Sequence, residues 1–151
     1  MKLWVLRHGE AEPHGSKNHD SERALTDNGR QEVLRSAAEL MGEPLTAIYA
    51  SPYRRAQETA QLVREALGFE PEIRTVEWLT PEIDPDKVAE QLVSVSNVLL
   101  VSHNPLVGNL LSYLQHGAGY PPEKVSTAGL AELESNELVI GSMKLNGIKH
   151  P

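Results

Sequence analysis

Three short apolar runs stand out along the chain, around Leu3-Trp4-Val5-Leu6, Thr46 to Ala50 (TAIYA) and Asn97 to Val101 (NVLLV). Each has the length of a strand buried on both faces, the kind that lies inside a sheet covered by helices. The segments between them have a helical period. Thr26 predicts an N-cap before a helix from about Asp27 to Met41, whose apolar face is Val33, Leu34, Ala37, Ala38, Leu40 and Met41, with Gly42 as its stop. Ser51-Pro52 reads as the cap and first residue of a helix over Tyr53 to Leu67, ended by Gly68. A weaker strand follows at Glu70 to Val76, a loop at Pro81 to Pro85, and a helix at Asp86 to Val95 with Val88, Ala89, Leu92 and Val93 inward. Leu106 to Leu114 is apolar nearly all round and predicts a buried helix. Gly129 to Glu134 and Leu138 to Leu145, separated by Ser135-Asn136-Glu137, read as a hairpin at a sheet edge.

Strands alternating with helices define an α/β protein. There is no internal repeat or linker, and 151 residues suit a single domain spanning 1–151, large enough to bury about two-thirds of its unfolded surface. The chain has no cysteine, which excludes disulfides, thiolate metal sites and a cysteine nucleophile. The start has too few apolar residues for a signal peptide, and no run approaches the ~20 that a membrane helix needs. A cytoplasmic protein without a membrane partner is the expectation. With 14 basic against 21 acidic side chains, the formal charge of −7 repels nucleic acid. Any anion it binds must meet a local pocket of positive charge.

Such a pocket is suggested where the apolar runs stop. The first breaks into Arg7-His8-Gly9, the second leads to Arg54-Arg55, and the third ends at Ser102-His103-Asn104-Pro105. Ligands of open α/β sheets collect beyond the carboxyl ends of the strands, and parallel strands bring those ends together. Two guanidiniums there can grip a phosphoryl group in bidentate fashion, and helix amino termini add donors. Imidazole is the side chain here that is both neutral and nucleophilic near neutral pH. The other histidines, His14, His19, His116 and His150, lie in polar loops or at the terminus without a partner pattern, and the polar stretch Ala11 to Ala24 reads as a loop over the strand ends.

Arg7-His8-Gly9, Leu25 to Gln31 (LTDNGRQ), Ser51 to Thr59 (SPYRRAQET) and Ser102 to Gly108 (SHNPLVG) together resemble the histidine phosphatase superfamily, and within it the short SixA-type phosphohistidine phosphatases. The motifs occur in the family's order across essentially the whole chain, without the long helical insertion of larger members. The resemblance implies a three-layer α/β/α sandwich of the phosphoglycerate mutase-like kind, with a mostly parallel central sheet. It implies His8 as a nucleophile that becomes phosphorylated, Arg7 and Arg55 as a phosphate clamp, and His103 as a second histidine against the phosphoryl oxygens, with Asn104 beside it as a further phosphate ligand. Arg55 rather than Arg54 matches the family's SPxxRA pattern.

The implied activity is a metal-independent, cofactor-free phosphohistidine phosphatase of signal transduction. Its expected partner is a phosphohistidine-bearing protein such as a phosphotransfer domain, and phosphate or sulfate would occupy the same pocket. A small-molecule phosphomonoesterase or mutase of the same superfamily and a non-catalytic phosphate-binding module are the alternatives. Relatives that cleave esters use a carboxylic acid to protonate the leaving oxygen; here Glu82 and Asp84, with Asp20 and Glu22, are the candidates, and none has a diagnostic spacing. Departing imidazole, with a reference pKa of about 6.5, needs such an acid far less than an alkoxide does.

Overall fold

The computed structural model describes residues 1–13 and 19–151. Its strands are β1 (Lys2–Arg7), β2 (Ala47–Ala50), β3 (Arg74–Thr75), β4 (Val98–Ser102), β5 (Leu130–Glu134) and β6 (Lys144–Lys149). The helices are α1 (Asp27–Ala38), α2 (Arg54–Leu67), α3 (Pro85–Gln91) and α4 (Leu106–His116). All six strands form one sheet in the order β3-β2-β4-β1-β5-β6. The first four of that order run parallel, and β5 is antiparallel to both β1 and β6.

The strand alternation decides the layers. Leu3 and Val5 of β1 and Val98 and Leu100 of β4 pack with Val88 of α3 and Leu106, Leu110, Leu111 and Leu114 of α4. Trp4 and Leu6, with Leu99 and Val101, point the other way into Val33 and Ala37 of α1 and Ala56, Ala60 and Val63 of α2. Because successive strand side chains face opposite sides, one strand serves both cores, and the helices of each side close a three-layer sandwich. The expected fold class is thus the one observed. A helix on one face leaves β1 and a helix on the other face leaves its neighbour β4, so a cleft opens between those two strand ends.

Several expected boundaries move, each for a local reason. Helix α1 ends at Ala38, and its buried stripe is Gly29, Val33, Ser36 and Ala37, continued by Leu40. Leu34 and Met41, turned about a quarter of the way round the helix axis from that stripe, are exposed. Val93 is 75% exposed because α3 stops at Gln91 and its period no longer applies. The last strand lies at Lys144–Lys149 rather than Leu138 to Leu145. There the β-branched run Val139-Ile140 imitates a strand, but the following Gly141 and Met143 donate their amides to Leu114 O at 3.0 and 3.1 Å and so belong to the end of α4. The expected hairpin is therefore a longer connection from β5 to the edge strand β6.

The expected loop Ala11 to Ala24 has its middle, including His14, outside the described residues. Its ends are tied together by Glu12 N–H donating to Ala24 O at 2.8 Å and by Arg23 Nη1 donating to Glu12 O at 2.8 Å. The segment leaving β1 then packs against α1 through two glycines. A Cβ on Gly9 would lie 2.6 Å from Gly29 O, and one on Gly29 would run into the backbone of Glu10. Thr26 does cap α1, its Oγ1 accepting from Gly29 N at 2.9 Å while its own hydroxyl donates to Glu10 Oε1 at 2.7 Å. Glu10 thus serves the start of α1, accepting from Thr26 and Asn28.

This close approach makes a prediction. Gly29→Ala should lower stability by about 2–3 kcal/mol through overpacking, whereas Gly147→Ala, which meets nothing, should stay within about 0.5 kcal/mol; urea unfolding midpoints measure both.

Candidate active site

Arg7 is in register with Ser102 across the parallel pair β1 and β4, so the next residue on each strand is a histidine. His8 and His103 stand side by side with ring centroids 5.0 Å apart at 60°. Ala50 is in register with Val101 on the other side of β4, which brings Ser51 to the same edge. Backbone bonds continue the ladder past the strand ends: His8 N–H donates to Ser102 O at 3.0 Å and Ser51 N–H to Val101 O at 3.1 Å.

The third element is α2. It begins at Arg54, and Ser51-Pro52 lies ahead of it, so the expected cap is not one: the N-cap is Tyr53, without a side-chain bond. Arg55, in the first turn, is 3% exposed and reaches inward. Its Nε donates to His8 Nε2 at 3.2 Å, its Nη1 to Asp20 O at 2.6 Å and its Nη2 to Asp20 Oδ2 at 3.1 Å. Arg54 turns outward to Glu58 at 3.1 Å, the partition that the motif spacing implied. Four residues on from Arg55, on the same helix face, buried Thr59 accepts from Gly9 N–H at 3.1 Å and donates to Arg55 O at 2.8 Å.

Arg7 donates from Nη1 to Val125 O at 3.0 Å, and Asn104 Nδ2 donates to the same carbonyl at 3.1 Å. Asn104 Oδ1 also accepts from Gly108 N at 3.2 Å, so its amide braces the start of α4 at both ends. Among the described residues, three buried side-chain polar atoms lack a partner, and two are here: Arg7 Nε and His103 Nδ1. Buried polar atoms of that kind are expensive unless a ligand satisfies them.

Electrostatics follow from this crowding. Burial first, and then Arg55, Arg7 and Arg23, lower the His8 pKa from 6.5 to about 4, against the opposing pull of the Gly9 carbonyl. Burial, His8 and Arg55 press His103 down to about 2. Both rings are neutral at pH 7. His8 Nδ1 lies 2.7 Å from Gly9 O, an acceptor only, so the single proton of the neutral ring sits on Nδ1 and donates to that carbonyl. Nε2 keeps its lone pair. At Asp20 burial would raise the pKa, but Arg55 and Arg23 outweigh it and hold the carboxyl below its ordinary value. Asp20 is therefore an anion that orients Arg55 and has no proton to give.

Of the other proton-donor candidates, Glu82 and Asp84 are both exposed. Asp84 lines a cavity of about 460 Å³ with Asp86, Asn109, Tyr113 and Tyr120, whose lining includes none of the four basic residues above. Two carboxylates suit that cavity poorly for a phosphoryl group. Sequence reasoning missed Ser51 and Thr59 as side chains of the site, although both lie inside the quoted SPYRRAQET run, and the spacing of Thr59 from Arg55 was its signal. The carbonyl of Val125 had none.

The match to known proteins agrees with this geometry. Residues 3–80 match the model of the histidine phosphatase superfamily (branch 1). Phosphohistidine phosphatase SixA of Escherichia coli is 31% identical over 144 residues, covering 91% of this chain and 87% of that protein. The chain belongs to the histidine phosphatase superfamily. The hydrolase class implied by its motifs is that of the family. A Haemophilus influenzae SixA homolog is 34% identical over 128 residues, covering 76% of this chain and 77% of that one. A solved structure of the protein histidine phosphatase SixA complexed with tungstate superposes with a TM-score of 0.87 at 30% identity, over 99% of this chain and 97% of that one. Among the described residues, no helix is long and apolar enough to cross a membrane, and no three His, Asp or Glu side chains are grouped to hold a metal.

The depressed histidine pKa has a consequence for stability. An unfolded chain takes up a proton at His8 near 6.5, whereas the folded one resists until about 4, so acid favours unfolding within that window. Lowering the pH from 7 to 5 should cost about 2 kcal/mol from His8 alone, with His103 acting in the same direction. In urea titrations at each pH, His8→Gln should flatten this dependence.

Proposed function

We propose that this chain, as a single domain, is a metal-independent phosphohistidine phosphatase acting on a phosphohistidine-bearing protein, with His8 as the nucleophile. The observation that carries the reading is the pairing of a neutral His8, its Nε2 unprotonated, with buried nitrogens of Arg7 and His103 that lack partners. A tetrahedral oxyanion with several acceptor oxygens supplies partners for N–H groups there. The relatives named phosphohistidine phosphatase and the SixA structure holding tungstate, itself an oxyanion, support the same ligand class.

In the proposed reaction His8 Nε2 attacks phosphorus as Arg55 Nε gives up its bond to that nitrogen and turns to the phosphoryl oxygens. The substrate ring is protonated from solvent on its other nitrogen, so that when its P–N bond breaks the electron pair stays on a departing neutral imidazole. Water then attacks phosphorus on His8, breaking the new P–N bond and releasing inorganic phosphate. Arg7 and Arg55 neutralise the oxygens throughout, and Asn104 acts through Val125 by holding the Arg7 side of the pocket. No carboxylic acid is required, because a leaving imidazole is only weakly basic, with a pKa of about 6.5. Asp20 being ionised is consistent with this.

Three measurements test the reading. A phosphohistidine-bearing phosphotransfer domain should lose its phosphoryl group faster than any of a panel of phosphate esters, and an ester that turns over as fast would favour a small-molecule phosphomonoesterase. His8→Ala should reduce turnover by about 10⁴-fold or more and abolish the acid-labile phosphoenzyme trapped on quenching, while calorimetry still detects phosphate binding. EDTA should leave the rate unchanged; a loss restored by zinc or magnesium would refute the metal-independent mechanism.

A further inference from the structure

His103 is held by a hydrogen bond whose direction can be deduced. Its Nε2 lies 2.7 Å from Ser51 Oγ, and Ser51 is completely buried. Ser51 Oγ also accepts from Tyr53 N–H at 3.3 Å. A serine hydroxyl has one proton to donate, and among the described residues the acceptor in reach of this one is His103 Nε2. The reverse direction, with Nε2–H donating to Oγ, would strand the hydroxyl proton in a dry site and leave the Nδ1 lone pair unmet as well. When Ser51 donates, Nε2 is the acceptor and the single proton of the neutral ring must sit on Nδ1.

We propose that Ser51 is a positioning residue that fixes His103 in its Nδ1–H tautomer, so that this ring presents a neutral N–H donor to the phosphoryl group attacked by His8. This inference rests on the phosphatase reading and adds a residue to it. The logic is that of any buried histidine whose second nitrogen is pinned by a neighbour: the partner chooses which edge of the ring is a donor. Tyr53 reinforces the choice, because its ring stands edge-on to His103 at 4.9 Å between centroids and limits rotation of the imidazole. Arg55 lies over the opposite partner of that contact, 5.0 Å from the Tyr53 ring centroid, so the three side chains form one packed unit. The unpartnered Nδ1–H then has an acceptor in the phosphoryl oxygen that enters when Arg55 leaves His8 Nε2.

The test reads the tautomer directly. Nitrogen NMR of the ¹⁵N-histidine-labelled protein without substrate should show His103 with a protonated Nδ1 and an unprotonated Nε2. Ser51→Ala should shift that ring toward the Nε2–H form and lower kcat about tenfold while KM changes by less than about twofold, and Ser51→Thr, which keeps the hydroxyl, should restore both signals. A wild-type His103 protonated on Nε2, or a Ser51→Ala enzyme with unchanged kcat, overturns the proposal. Absence of phosphohistidine turnover by the wild type would instead overturn the phosphatase reading, and the two failures are separable because the tautomer is measured without substrate.

Discussion

Everything at this site depends on two imidazoles being kept neutral beside two guanidiniums. Parallel pairing of β1 with β4 sets the rings 5.0 Å apart, and burial together with Arg7 and Arg55 drives protons off both. A protonated histidine here would be a third or fourth positive charge in a site with little water to screen it. The same constraint leaves His8 Nε2 with its lone pair and makes the fold sensitive to acid.

The scaffold serves this constraint through backbone rather than through further charges. Gly9 and Gly29 let the segment after β1 lie against α1 without a side chain between them. Thr59 ties the amide of Gly9 to the carbonyl of Arg55, coupling the turn after His8 to the helix that carries Arg55. Val125 receives Arg7 and Asn104 on one carbonyl, linking the ends of β1 and β4 from the other side. Asp20 holds the guanidinium of Arg55 from the loop, which fixes its direction beside His8. Each of these fixes geometry at the cost of few charges, which suits a chain with a formal charge of −7.

Much of this was readable along the chain because the signals are local. An apolar run that ends in Arg7-His8-Gly9 has to be a strand meeting a turn, and the same holds for Val98–Ser102 before His103. Thr26 as a cap and Gly68, with φ of 62°, as a helix stop are decided by residues within a few positions of each other. That Arg54 and Arg55 diverge follows from helix geometry, since adjacent residues point about 100° apart, but that Arg55 is the inward one came from the resemblance, its SPxxRA pattern.

Tertiary structure decided what depends on partners far along the chain. Val139-Ile140 has strand propensity, but Leu114 claims the neighbouring amides and moves the strand to Lys144–Lys149. Ser51 has the sequence context of a helix cap, yet the approach of His103 from an adjacent strand turns its hydroxyl toward the site. Asp20 sits in a polar loop with nothing to distinguish it from Glu22 until Arg55, 35 residues away, is found bonded to it. Sequence by itself determined which side chains meet at the strand ends, Arg7, His8, Arg55 and His103, because residue type and local pattern encode strands, turns and helix faces. Only the fold decided how those side chains are protonated and aimed, because burial and through-space charge belong to neighbours that the order of residues does not reveal.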